Sequence, residues 1–205
     1  MSYDYEQTHE NILKSARQQF KEKGFRDASI RKICKDAGVT NGAFYAHFCS
    51  KEDLFCSIVN PCIEGLTRIY ADEEDDYLDI KSSEDVVRAF KEAYLGLDKL
   101  IRYVCDNRDD FVLILDSSAG TTFENFQEKL TQFETDSMKR FFEVSKKFIR
   151  NQDNISDNII KMGASFLIST VFDGLRRGKN AEEILHETKV VSDYCAAGYK
   201  YVLGL

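Results

Sequence analysis

Proline is nearly missing from this chain: there is one, Pro61, in 205 residues, alongside 11 glycines and no tryptophan. Tight β-hairpins need proline and glycine at their turns, so helices are the default expectation throughout. Histidine is scarce as well, three in all, and the six cysteines (Cys34, Cys49, Cys56, Cys62, Cys105 and Cys195) include no C-x-x-C pair. That pattern indicates neither a zinc site nor a disulfide framework, and no metal or cofactor is expected. No apolar run reaches the roughly 20 residues needed to cross a bilayer. The opening stretch, Met1 to Glu10, is polar and acidic rather than signal-like, so a soluble, cytoplasmic chain without a membrane partner is expected. A Ser/His/Asp set, a carboxylate pair or a phosphate-binding loop is not discernible, and His186 stands alone on a helix surface, which argues against an enzyme.

Basic charge is also in short supply. The formal net charge is -7, a poor balance for a general nucleic-acid binder. The deficit is unevenly spread, however: residues 1–50 hold eight Lys/Arg against six Asp/Glu, a balance of +2, which leaves -9 for the remainder. A weakly basic head on an acidic body suits a binder whose DNA contacts are few and local, because the body repels phosphate.

The head reads as three helices. Asp4 with Gln7 has the form of a capping box, and Ile12, Leu13, Ala16 and Phe20 follow at helical spacing to about Lys23. Gly24 is placed to end that helix, with Phe25 folding back on its apolar face. Ser29 is positioned to cap a second helix that turns Ile30, Ile33, Cys34 and Ala37 inward. Gly38 then supplies a tight turn, and Thr40 caps a short third helix through Phe48. Two short helices joined by a glycine-containing turn form a helix-turn-helix, whose second member enters the major groove of double-stranded DNA. Its first turn, Thr40, Asn41, Gly42 and Ala43, is small and hydrogen-bonding. Asn41 suits a bidentate pair with adenine, and small apolar groups suit a thymine methyl. Ser29 and Arg31 are expected beside the groove, with Arg31 in reach of a guanine or a phosphate. Tyr45, His47 and Lys51 are expected to hold phosphates. Phe44 and Phe48, four apart, are expected in the core.

From Ile12 to Leu54 the head resembles that of the TetR family of transcriptional regulators. The resemblance rests on Ile12-Leu13-x-x-Ala16-x-x-x-Phe20, Lys23-Gly24-Phe25, Ser29-Ile30-Arg31-Lys32-Ile33, Ala37-Gly38-Val39 and Gly42-Ala43-Phe44-Tyr45-x-His47-Phe48-x-Ser50-Lys51-Glu52-Asp53-Leu54. Cys34, where alanine is expected, is a mild departure. The resemblance implies that the start of the third helix reads bases while Tyr45, His47 and Lys51 touch phosphates. It covers about a quarter of the chain closely and the rest only as a general layout. The implied fold is all-α: a three-helix helix-turn-helix DNA-binding domain over residues 1–50, then a helical ligand-binding and dimerisation domain over 51–205.

The body is legible as a series of amphipathic helices. Ser50 with Asp53 caps a fourth, carrying Leu54, Ile58, Cys62 and Leu66 out of the head; Pro61 inside it predicts a kink rather than a stop. The acidic segment Asp72 to Asp79 predicts an exposed loop. Ser82 with Asp85 caps the next helix. A long amphipathic helix is predicted from about Thr122 toward Arg150, then one opened by Asn154 with Asp157, and a last one opened by Asn180 with Glu183. That last helix is apolar on two faces (Ile184, Val191, Cys195 and Val202; Val190, Tyr194 and Tyr201), more than its own domain readily buries. Pairing of the last two helices with their copies in a homodimer is therefore expected, as the resemblance also implies.

A body richer in aromatics than dimerisation requires invites a small-molecule effector, with Phe90, Tyr94, Tyr103, Phe123, Phe126 and Phe166 as candidate ligand-binding residues. The functional expectation is a repressor released from a palindromic operator by that effector. The alternative is a thiol-based redox-sensing regulator using Cys49 and Cys56.

Overall fold

The computed structural model of the chain describes residues 2–73 and 80–205. Among them every regular element is helical: α1 (Ser2–Asp27), α2 (Ile30–Ala37), α3 (Asn41–Tyr45), α4 (Lys51–Glu73), α5 (Ser83–Asp106), α6 (Arg108–Ser117), α7 (Phe126–Ser145), α8 (Asp157–Arg176) and α9 (Ala181–Leu203), with 3₁₀ turns at Lys146–Phe148 and Gln152–Asn154. None of the described helices is long and apolar enough to cross a membrane. Residues 74–79 of the expected acidic loop lie outside the described residues. The helices form two compact units, Met1–Gly65 with Asn107–Phe126, and Leu66–Asp106 with Gln127–Leu205. The packing boundary thus falls within α4 rather than at residue 50, and the first unit takes in the sequence-distant α6.

In the first unit, α1 turns Ile12, Ala16 and Phe20 into the core, all fully buried. Its regular part ends where sequence spacing puts the end: Gly24 takes φ 72° and ψ 166°, a backbone state that other residues resist. Phe25 then folds back against Phe20 and Phe55, ring centroids 5.9 and 5.6 Å away. The Ser15 hydroxyl donates to the Ile33 carbonyl at 2.9 Å and ties α2 to α1. Ser29 stands at the α2 N-cap but its side chain makes no capping bond, contrary to expectation, so α2 starts on backbone geometry alone. Gly38 closes α2 in the left-handed region. Helix α3 is shorter than expected, ending at Tyr45, because the amides of Ala46 and His47 bond three residues back instead of four. Phe44 and Phe48 are both buried, as expected.

The α4 start is a reciprocal cap: Ser50 Oγ accepts from the Asp53 amide at 3.0 Å and Asp53 Oδ2 from the Cys49 amide at 2.8 Å. The helix continues through Pro61 without a break, although Pro61 supplies no amide to the Ser57 carbonyl. An ion pair between Arg17 and Asp110 joins α6 to α1, and Glu52 accepts the Thr122 amide at 3.0 Å.

In the second unit α5 opens with the expected cap, Ser82 Oγ accepting from the Asp85 amide at 3.1 Å. The Asp85 carboxylate in turn accepts the Lys81 amide, which holds its pKa below the usual range. Helix α7 ends at Ser145, short of Arg150, and hands over to a 3₁₀ turn. The α8 N-cap is Ser156, not Asn154; the Asn154 side chain instead donates from Nδ2 to the Val202 carbonyl at 3.0 Å. Helix α9 opens with the expected Asn180–Glu183 box complete on both sides. Gly163 and Gly174 let α8 and α9 close up, since a Cβ at either would stand 2.1 Å from the Tyr199 hydroxyl or 2.7 Å from Ile184 Cγ1. Ile149, Tyr199 and Leu203 form a buried cluster there, with Phe90 and Phe142 against it.

Candidate functional site

The turn joining α2 and α3 leaves Thr40, Asn41 and Gly42 exposed and Ala43 half-buried on the outside of the first unit. Thr40 is the α3 N-cap, its Oγ1 accepting from the Ala43 amide at 3.1 Å, so its methyl and the Asn41 amide project from a fixed frame. Gly42 is informative because nothing inside demands it: an added Cβ would meet only Thr40 Oγ1, at an ordinary 3.7 Å. Behind the turn, Phe44 is fully buried and locks α3 in place. Ser29 and Arg31 are both exposed at the start of α2.

Beyond α3 the three expected phosphate holders differ in setting. Tyr45 is 60% exposed, its ring edge-on to Phe44 at 5.1 Å. His47 is half-buried in an aromatic nest that sequence reading missed: Tyr5 lies 4.0 Å and His9 5.4 Å from its ring, and His9 stacks on Phe48 at 4.7 Å. The Tyr5 and His9 spacing of four on α1 was the available signal. Nδ1 of His9 and Nδ1 of His47 are buried with no hydrogen-bond partner among the described residues. Burial, and then the neighbouring His9, push the His47 pKa below its ordinary value. Lys51 is the surprise. Its ammonium donates to the carbonyls of Arg26 at 3.1 Å and Ala28 at 3.0 Å and lies 4.5 Å from the Phe25 ring centre. Burial lowers its pKa, against an opposing pull from Asp27. An ammonium has three protons, so one is left for an outside acceptor.

The aromatic residues proposed to line a ligand site are dispersed. Phe123 and Phe126 belong to the first unit, packed near Phe55 and Phe111. Phe90 stacks on Tyr199 at 5.8 Å, Tyr103 is half-buried, and Phe166 is exposed on α8. The Tyr94 side chain lies outside those described. A small pocket of about 40 Å³ does exist in the second unit, but its wall is built from other residues: apolar side chains of α4, α5, α7 and α8, with Tyr70 and Glu134 as its polar members. Sequence pattern gave no hint of Glu134, since a lone glutamate on an amphipathic helix reads as solvated. A larger hollow of about 450 Å³, bordered by Lys139, Glu143, Lys146, Asp153 and Asp157, has a charged rim instead.

All six cysteines are free thiols. Burial raises the pKa of Cys34, Cys56 and Cys195, and lifts Cys62 to about 11.

Residues 12–58, spanning the end of the aromatic nest, the turn and the α4 cap, match the family model for bacterial regulatory proteins, tetR family. The HTH-type transcriptional regulator UidR of Escherichia coli K12 is 41% identical over 59 residues, 29% of this chain and 30% of that protein. The match therefore spans under a third of that relative's length. Likeness of fold extends much further. NalD, the secondary repressor of the MexAB-OprM multidrug efflux pump of Pseudomonas aeruginosa, superposes with TM-score 0.55 over 92% of this chain and 97% of its own, at 20% identity. FadR of Bacillus subtilis, solved with stearoyl-CoA, gives 0.56 over 92% and 97%, at 14% identity. The family match thus lies across the exposed, side-chain-capped turn between α2 and α3, and beyond it the likeness to these solved regulators is one of all-α fold.

Proposed function

We propose that the chain is a DNA-binding transcriptional regulator: a homodimeric repressor that leaves a palindromic operator when a small molecule enters its second unit. The observation that carries this reading is the α2–α3 turn, where Thr40 to Gly42 are exposed on a buried Phe44 anchor and Gly42 has no internal reason to be glycine. A bare glycine at that point allows the backbone close approach to base edges. In this reading Asn41 reads a base; Ser29, Arg31, Tyr45, His47 and the remaining proton of Lys51 fix the register on phosphates.

A five-residue helix reads few base pairs, so two copies about 34 Å apart are needed for a specific site. The apolar outer faces of α8 and α9 support dimerisation there. The small apolar pocket of the second unit supports an effector site. Helix α4 begins beside the DNA-facing turn and contributes Leu66 and Tyr70 to the cavity, so it is the covalent route by which a change at one is felt at the other. The thiol-switch alternative has less support, because burial and the carboxylates of Glu52 and Asp53 hold the Cys56 thiol in its unreactive protonated form.

The test is selection of random duplex DNA on the purified chain. A two-fold symmetric site with half-sites one helical turn apart is expected. Enrichment of no sequence, or of sites lacking symmetry, sinks the reading.

A further inference from the structure

We propose that the small apolar pocket of the second unit takes a lipophilic organic cation, a slim alkyl or aryl amine whose ammonium pairs with Glu134. This rests on the reading of that cavity as the effector site, and adds the chemical class of the ligand. The wall is aliphatic on nearly every side, with Leu66 from α4, Leu100 from α5, Leu130 from α7 and Leu167 from α8. Among the described residues the lining includes no lysine, arginine or histidine to neutralise the Glu134 carboxylate. Burial raises the Glu134 carboxyl pKa, against a smaller opposing pull from the Tyr70 hydroxyl on the same wall. The nearby α7 hydroxyls are committed elsewhere: Thr131 donates to the Gln127 carbonyl at 2.9 Å and Thr135 to the Thr131 carbonyl at 2.6 Å.

A carboxylate desolvated without a cation is costly, and that cost is relieved by whatever brings a positive charge into the same apolar space. An ammonium on a hydrocarbon body does this while its body replaces water against leucine. A neutral alcohol gains only the apolar part, and an anion is repelled. The free volume, about 40 Å³, is smaller than any such ligand, so entry requires side chains to yield. Met138, with its unbranched flexible chain, lines the wall and is suited to yielding.

The experiment is calorimetric titration of the full chain, in physiological salt, with three probes that share one tail: decylammonium, decanol and decanoate, each below its micelle concentration. Decylammonium is expected to bind at least tenfold tighter than either other probe, and decanol to compete with it for one site. Glu134→Gln, nearly isosteric, is expected to bring decylammonium down to the level of decanol, with decanol binding in place and a melting temperature no lower than the parent's. Because the chain is acidic, adsorption to its surface is a rival explanation; it predicts that the preference survives Glu134→Gln, and that result overturns the proposal. Equal or tighter binding of decanoate overturns it too, while leaving the cavity as an apolar ligand site. Binding of none of the three removes the cavity reading itself. Release of DNA by decylammonium, measured separately, tests the repressor reading alone.

Discussion

Gly42 and Lys51 lie nine residues apart and separate folding from recognition. Replacing Gly42 by alanine adds a methyl that the chain accommodates at ordinary contact distance. Alanine is also the better helix former, by up to about 1 kcal/mol. The variant is therefore expected to melt no lower than the parent yet to bind the selected operator roughly tenfold or more weakly, as a lost base-edge contact would; unchanged affinity in a mobility-shift titration removes Gly42 from the interface. Lys51→Met does the reverse first. It strips two carbonyls at the end of α1 of their donor and removes the cation over Phe25, costing about 1–3 kcal/mol in denaturant unfolding. If the third proton also serves a phosphate, the salt slope of DNA binding falls by about one as well. A lower stability with an unchanged slope makes Lys51 a purely structural clamp. His47 adds a pH term. Its folded pKa is depressed below 6.5, so the unfolded chain takes up the proton first as pH falls. Its contribution is complete above that value and is lost on acidification toward the depressed one. The parent is expected to lose more melting temperature between pH 7.5 and 5.5 than His47→Gln, and parallel curves would show that the nest with Tyr5 and His9 does not matter.

Helix boundaries were legible wherever their determinants are local. The Asn180–Glu183 box, the Ser82–Asp85 pair and the Gly24 stop each involve residues within a turn of each other, and each appears where spacing put it. What escaped was settled by distant partners. Asn154 lost its capping role to the Val202 carbonyl, 48 residues on, and Asp110 ties α6 into the first unit through Arg17, 93 residues back. Aromatic spacing identified buried faces, but not which core each would join, so Phe123 and Phe126 went to the first unit. The small residues of α8 permit close approach, and the helix they meet is α9 of the same chain. Gly174→Ala tests that packing. The methyl would stand 2.7 Å from Ile184 Cγ1 and 3.2 Å from its Cδ1, and Ile184 is fully buried. The strain of overpacking, about 1–3 kcal/mol, outweighs the gain in helix propensity of about 1 kcal/mol. A net loss of stability is expected in urea unfolding, and a stabilised variant would mean that α8 and α9 part more easily than their contacts suggest.

With the inner faces of α8 and α9 closed on each other by Gly163 and Gly174, their outer faces keep a stripe of large apolar side chains. Val190 is 57% exposed, Tyr194 72% and Tyr201 89%, at spacings that bring them to one side of α9, and Met162 and Phe166 are exposed on α8. Between the two tyrosines Gly198 has no atom within 4 Å of where a Cβ would stand, so a second helix can approach its backbone there. In the proposed homodimer these exposed apolar side chains form the association surface, and a twofold axis through it would place the same stripe on both partners. The double variant Val190→Glu, Tyr194→Glu puts like charges opposite their own copies, while each side chain is already exposed in the single chain and so leaves its core intact. It is expected to sediment as a folded monomer with near-parental helix content. Its affinity for the palindrome should drop about 100-fold or more, the loss that follows when two linked contacts become independent, whereas binding to an isolated half-site should match the parent's. A variant that remains dimeric moves the interface elsewhere, and a monomer that holds the full palindrome as tightly as the parent removes the need for a dimer in recognition.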